Sequence, residues 1–129
     1  MTLSLNSNQA LNLWRKAVVE GVRNEATDLT ARQMAVLLTV YLTSPPHTVR
    51  GLSAELGIAK PAVTRALDRL AALDLVRRNR DERDRRSIEV QRTVKGSVFL
   101  SEFAETVTRA AAGSMRGPAP AAAPIGVRG

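Results

Sequence analysis

The hydrophobic periodicity of the chain changes at Leu75, and the residues on either side of that change leave few architectures open. Before it, Val63, Ala66, Leu67 and Leu70 recur at helical spacing and leave Thr64, Arg65, Asp68 and Arg69 on the other face. After it, Leu75 to Arg80 and Ser87 to Arg92 read with the period of two of strands, Ile88 and Val90 alternating with Glu89 and Gln91. Between them, Asp81-Glu82-Arg83-Asp84-Arg85-Arg86 makes a charged hairpin tip. The helix ahead of the hairpin has Pro61 in its first turn, where a missing N–H costs nothing. A short helix from Val49 to Leu56 precedes it, and Gly57 ends that helix as a left-handed cap would.

The flanking segments are helical by the same criterion. Leu11, Trp14, Val18 and Val22 predict an amphipathic helix from about Asn6 to Val22, with Asn6, Ser7 or Asn8 as its cap. Thr30 and Gln33 form a capping box, with Leu29 and Met34 as a hydrophobic staple. The helix they begin should run to about Leu42, and its apolar residues cover most of its circumference, which predicts a central, largely buried helix. Ser44-Pro45-Pro46 stops it. Thr93 caps a last helix in which Phe99, Phe103, Val107 and Ala110 share a face, and Gly113 is its expected end. Ser114 to Gly129, rich in Pro, Ala and Gly, has no periodicity and is expected to be a disordered tail. Residues 1–113 are then one domain with a single core. Aromatic residues are only 3% of the chain, so that core is built from Leu, Val and Ala, which favours helices. The expected fold class is mainly α (α+β): a winged helix-turn-helix, with a two-stranded β-hairpin as the wing and flanking N- and C-terminal helices.

Charge narrows the function. Lys and Arg total 19 against 12 Asp and Glu, a net charge of +7 that calls for a polyanionic partner. No apolar run approaches the roughly 20 residues of a membrane span, and no secretory leader opens the chain, so a soluble, intracellular protein is expected. The chain has no Cys, which excludes disulfides and thiolate metal sites. Its one His, His47, follows Pro45 and Pro46 and reads as a loop residue without a role. No glycine loop could cradle phosphates, and Asp81, Glu82 and Asp84 sit among arginines that keep them charged and unsuited to proton transfer. No enzyme activity, metal or cofactor is expected.

The second helix of the pair fits the major groove of DNA, where base-pair edges present distinct donor and acceptor patterns. Thr64 and Arg65 are placed for base edges and Lys60 and Arg69 for phosphates. The bland alternative is a solvated helix face. In the wing, Arg83, Arg85 and Arg86 are candidates for a narrow, negative minor groove, and Asp81 and Asp84 would hold them by ion pairs. From Lys60 to Lys95 there are 11 Lys or Arg and 6 Asp or Glu, so about five of the seven net positive charges lie in this stretch.

These residues resemble the MarR-type winged-helix transcriptional regulators from about Leu29 to Gly96. The resemblance rests on Leu52-Ser53-Ala54-Glu55-Leu56-Gly57-Ile58, Thr64-Arg65-Ala66-Leu67-Asp68-Arg69-Leu70, Leu75-Val76-Arg77-Arg78, and Asp81 to Ser87 leading to Val90 and Thr93-Val94-Lys95-Gly96. It implies a two-fold dimer on palindromic DNA sites. Thr64 and Arg65 match recognition-helix positions, Arg85 or Arg86 the wing-tip arginine, and Asp84 the acid that orients it. It also implies a pocket for a small lipophilic effector, framed by further C-terminal helices. Here Gly113 and the Pro-rich tail stand in their place, as in a truncated dimerisation region. The Leu11, Trp14, Val18 stripe and the Phe99, Phe103, Val107 stripe could pair between subunits or close the core of one subunit. The expected function is a sequence-specific, double-stranded DNA-binding regulator in bacterial cytoplasm, at the nucleoid. The alternative is an adaptor that binds RNA polymerase or another regulator, which would show little salt-dependent affinity for duplex.

Overall fold

Local capping sets where the first helices begin. The computed structural model of the chain describes residues 4–23, 28–80 and 88–116. Helix α1, Ser7–Arg23, is capped by Asn6, whose Oδ1 accepts the Gln9 N–H at 2.8 Å while Gln9 Oε1 accepts the Asn6 N–H at 3.0 Å. Helix α2, Ala31–Leu42, carries the anticipated capping box between Thr30 and Gln33. Leu29 and Met34 both lean on the core beside it.

Strand β1, His47–Thr48, leads into α3, Val49–Leu56, where Thr48 Oγ1 accepts the Gly51 N–H at 3.0 Å. Gly57, at φ 67°, ends α3 in the left-handed region that a glycine enters without steric cost. Helix α4 spans Lys60–Ala72 with Pro61 in its first turn. The chain then turns through Asp74, at φ 60°, into β2, Val76–Arg80, which pairs antiparallel with β3, Ile88–Arg92. Thr93 Oγ1 accepts the Gly96 N–H at 2.9 Å and caps α5, Val94–Arg116.

The expected two-stranded wing is part of a three-stranded sheet of order β1-β3-β2. Strand β1 is two residues long, paired His47 to Val90 and Thr48 to Glu89, too short for any periodicity to announce it. His47 is not a free loop residue. It is buried, and its Nε2 lies 3.2 Å from the Thr43 carbonyl, which can only accept a hydrogen bond.

Two compact units replace the expected single core: Leu29–Leu100, and Met1–Asp28 with Ser101–Gly129. In the first, Val36, Leu37 and Val40 of α2, Leu52 of α3 and Val63, Ala66, Leu67 and Leu70 of α4 are buried with Leu75, Val76 and Val90. Full burial of each Leu or Val contributes about 1.5–3 kcal/mol. Leu42, expected inside, is 75% exposed at the C-terminal end of α2, whereas residues 33–41 are all buried or half-buried, as a central helix requires. In the second unit Ala17 of α1 and Ala110 and Ser114 of α5 are buried. Gly113 does not end α5, which continues to Arg116, so the proposed tail boundary at Ser114 falls inside a helix. A Cβ at Gly113 would stand 3.0 Å from Lys16 Nζ, so α1 lies close at that point. That proximity, after the Ala110-Ala111-Ala112 run, carries the helix through a residue that costs it only about 1 kcal/mol. Residues 117–129 lie outside the described residues.

One hydroxyl joins α2 to the strands. Tyr41 Oη donates to the Leu75 carbonyl at 2.7 Å and accepts the Thr93 N–H at 2.9 Å. Gly96 is what lets the ring in, since a Cβ there would collide with the Tyr41 hydroxyl and the Leu75 carbonyl. Neither atom can yield without losing a hydrogen bond. Gly96→Ala should therefore destabilise the fold by about 3 kcal/mol, the upper end for overpacking, read as a lower urea midpoint at unchanged slope.

Candidate nucleic-acid interface

Helix α4 is divided along its length. Val63, Ala66, Leu67 and Leu70 are buried, whereas Lys60, Thr64, Arg65 and Arg69 are all exposed on the other side of the same helix. The turn before it is closed by Ser53, whose Oγ donates to the Ile58 carbonyl at 2.5 Å, and by the Gly57 N–H, which donates to the Ser53 carbonyl at 3.0 Å. The N-cap, Ala59, has no side-chain hydrogen bond to offer, so the first turn of α4 is capped by no side chain of its own.

The Asp68 side chain points from this face to the sheet. Its Oδ1 accepts a hydrogen bond from Arg78 Nη1 of β2 at 2.6 Å, the one ion pair among the described residues. An acid beside Arg65 and Arg69 would repel a phosphate; paired to Arg78 it is neutralised, and it ties the exposed face of α4 to the wing. In β2, Arg77, Asn79 and Arg80 are exposed with Arg78, and Asn79 Nδ2 donates to Gln91 Oε1 across the hairpin at 2.8 Å. Arg77 and Arg80 are further candidate site residues, and the run of arginines in β2 is the sequence signal that points to them. Arg32 is another, lining the same groove as Arg65 together with Thr30 and Ala62. Nothing local in the sequence brings the first turn of α2 to α4.

Arg92 has a different use. Its Nε donates to the Val40 carbonyl at 2.9 Å and its Nη2 to the Thr43 carbonyl at 3.0 Å, so it closes the C-terminal end of α2. Its guanidinium also lies 5.8 Å from the centre of the Tyr41 ring, within cation–π range. The wing-tip residues Arg83, Arg85, Arg86, Asp81 and Asp84 lie outside the described residues.

The expected dimerisation residues fall into two sets. On α1, Leu11, Trp14 and Val18 are exposed, Trp14 at 56%, and Val22 continues the stripe. On α5, Phe103 and Val107 are half-buried, and Phe99 packs against the core of the Leu29–Leu100 unit. Among the described residues no three His, Asp or Glu side chains gather to hold a metal ion. No described helix is long and apolar enough to cross a membrane.

Residues 27–87 match the family model described as MarR family. No curated protein matches the chain significantly by sequence. Among solved structures, a MarR transcriptional regulator from Methanosarcina mazei is 25% identical, with a TM-score of 0.64 over 84% of this chain and 78% of that one. A transcriptional regulator from Thermotoga maritima is 28% identical, with a TM-score of 0.57 over 82% of this chain and 72% of that one. The transcriptional repressor CouR, in a structure bound to a 23-mer DNA duplex, is 26% identical, with a TM-score of 0.65 over 82% of this chain and 72% of that one. Among the described residues, five helices and a small antiparallel sheet in this order give the chain a winged-helix fold, and across residues 27–87 it is similar to the MarR family of transcriptional regulators.

Proposed function

We infer that the chain is a sequence-specific, double-stranded DNA-binding regulator that acts as a homodimer, with α4 in the major groove and the arginine-rich wing at the adjoining minor groove. The division of α4 carries this reading: its apolar side is spent on the core, and the side left to solvent holds Lys60, Thr64, Arg65 and Arg69. A helix of this width fits the major groove, where an arginine can bond two acceptors on guanine. Arg32, Arg77 and Arg80 would extend the positive surface toward the phosphates on either side. Arg83, Arg85 and Arg86, with Asp81 and Asp84 as their orienting acids, are assigned to the wing tip from the sequence. That CouR is solved on duplex DNA supports the same use of the fold. The small lipophilic effector and a bacterial cytoplasmic setting rest on the family resemblance alone.

Dimerisation is supported by α1. Leu11, Trp14, Val18 and Val22 stand at helical spacing and are 51%, 56%, 44% and 65% exposed, an apolar stripe that gains by burial against a second copy at about 25 cal/mol per Å². Phe103 and Val107 can join such an interface, whereas Phe99 is already engaged with a core. Trp14→Glu should shift the chain to monomer in sedimentation equilibrium, and an unchanged dimer would remove α1 from the interface.

The direct test is selection of bound duplexes from a random pool, with affinity measured at two salt concentrations. Arg65→Ala should relax preference at one base position by about 1–3 kcal/mol. Arg85→Ala should weaken binding to all sequences alike and lower the salt slope by about one. A folded chain with no salt-dependent duplex binding would favour the adaptor reading instead.

Asp68→Asn separates orientation from charge. Asp68 is 58% exposed, so losing its ion pair should cost no more than about 0.5–1 kcal/mol of stability. If Asp68 were a bystander, removing a negative charge would raise affinity for every duplex. If it holds the wing to α4, binding to the selected site falls relative to random duplex, and that fall is the expected result.

A further inference from the structure

Within the unit formed by residues 1–28 and 101–129, α1 and α5 line an open cavity of about 350 Å³. Its walls carry four cationic side chains, Arg15, Lys16, Arg23 and Arg109, against one acid, Glu20, together with the Thr106 hydroxyl. Four cations against one acid leave a local surplus of positive charge that a multivalent anion would neutralise. None of the four forms an ion pair among the described residues.

Three of these cations are also placed rather than free to disperse. Arg15 donates from Nε and Nη2 to Asn12 Oδ1 at 3.0 and 2.9 Å. Arg109 Nη2 donates to Thr106 Oγ1 at 3.4 Å. Lys16 is half-buried, with Nζ directly over Gly113 of α5, where a Cβ would be 3.0 Å away. The guanidinium forks suit two-point contact with phosphate or carboxylate oxygens.

We propose that this cavity binds a small multivalent oxyanion, taken up between Arg15, Lys16 and Arg23 of α1 and Arg109 of α5. Its volume is at the low end of small-molecule sites, which suits a compact polyphosphate or polycarboxylate rather than a large ligand. The bound anion relieves the repulsion among the four cations and draws α1 and α5 together. The site shares no residue with α4 or the wing, so it stands whether or not those elements bind DNA.

Isothermal titration of the full chain with tripolyphosphate and with citrate, at constant ionic strength in chloride, tests the assignment. The expected result is one anion per chain, with Lys16→Gln/Arg109→Gln reducing affinity about tenfold or more. Lys60→Gln/Arg65→Gln should leave it unchanged. The stronger of the two anions identifies phosphate or carboxylate as the preferred group. Circular dichroism checks the fold of the double variant, and Arg15→Gln, an exposed single change, gives the same direction of effect if the double variant unfolds. Three outcomes overturn the proposal: neither anion binds above the chloride background, affinity is lost in Lys60→Gln/Arg65→Gln instead, or the cavity variants weaken duplex binding while both small anions bind as before.

Discussion

The Tyr41 hydroxyl stands where the wing leaves the helices and where it returns. Leu75, just before β2, gives it a carbonyl at 2.7 Å, and Thr93, just after β3, gives it an N–H at 2.9 Å. A single side chain of α2 therefore gathers both feet of the hairpin, and the Thr93 side chain adds a second tie by donating to the Asp74 carbonyl at 2.7 Å. The pairing of β3 with β1 holds the hairpin on one side, and the Asp68–Arg78 pair holds it on the α4 side. The orientation of the wing relative to α4 thus draws on four polar contacts in addition to the packing of Val76 and Val90 in the core.

This arrangement depends on small residues at the right places. Gly96 leaves room for the Tyr41 ring, and Gly57 lets α3 end abruptly enough for α4 to start at Lys60. Asp74 takes a left-handed conformation, φ 60°, between α4 and β2, which a residue with a short polar side chain tolerates better than most. Its N–H donates to the Ala71 carbonyl and that of Leu75 to the Leu70 carbonyl, both at 2.9 Å, so the last turn of α4 is closed before the strand begins.

What was legible in the sequence was local. The Thr30–Gln33 box, the Gly57 stop, the Pro61 start and the Thr93 cap each need residues only a few positions apart, and all lie where expected. The buried stripe of α4 and its charged opposite face follow from helical spacing alone. What was not legible needed distant partners. Strand β1 exists because His47 finds Val90, and Leu42 is exposed because it is the last residue of α2, past the neighbours that cover residues 33–41. Gly113 shows the same effect at a helix end: a local stop signal of about 1 kcal/mol is outweighed once another helix lies beside it. Asp68 and Arg78 are ten residues apart on different elements, so their pairing has no spacing rule behind it.

The same distinction governs how charge should be read. Counted along the chain, Lys60 to Lys95 carries a large positive excess, yet the structure withdraws part of it from solvent use. Arg92 is committed to the Val40 and Thr43 carbonyls, and Arg78 to Asp68. Counterion release depends on cations that neutralise phosphates, not on the formal total. Among the described residues, the cations of α4 and the exposed Arg77 and Arg80 are left free for that use. Arg92 contributes by keeping the end of α2, and with it Tyr41, in position. A cation spent on two carbonyls inside the fold can matter to recognition as much as one that meets the partner, because it fixes the angle at which the others arrive.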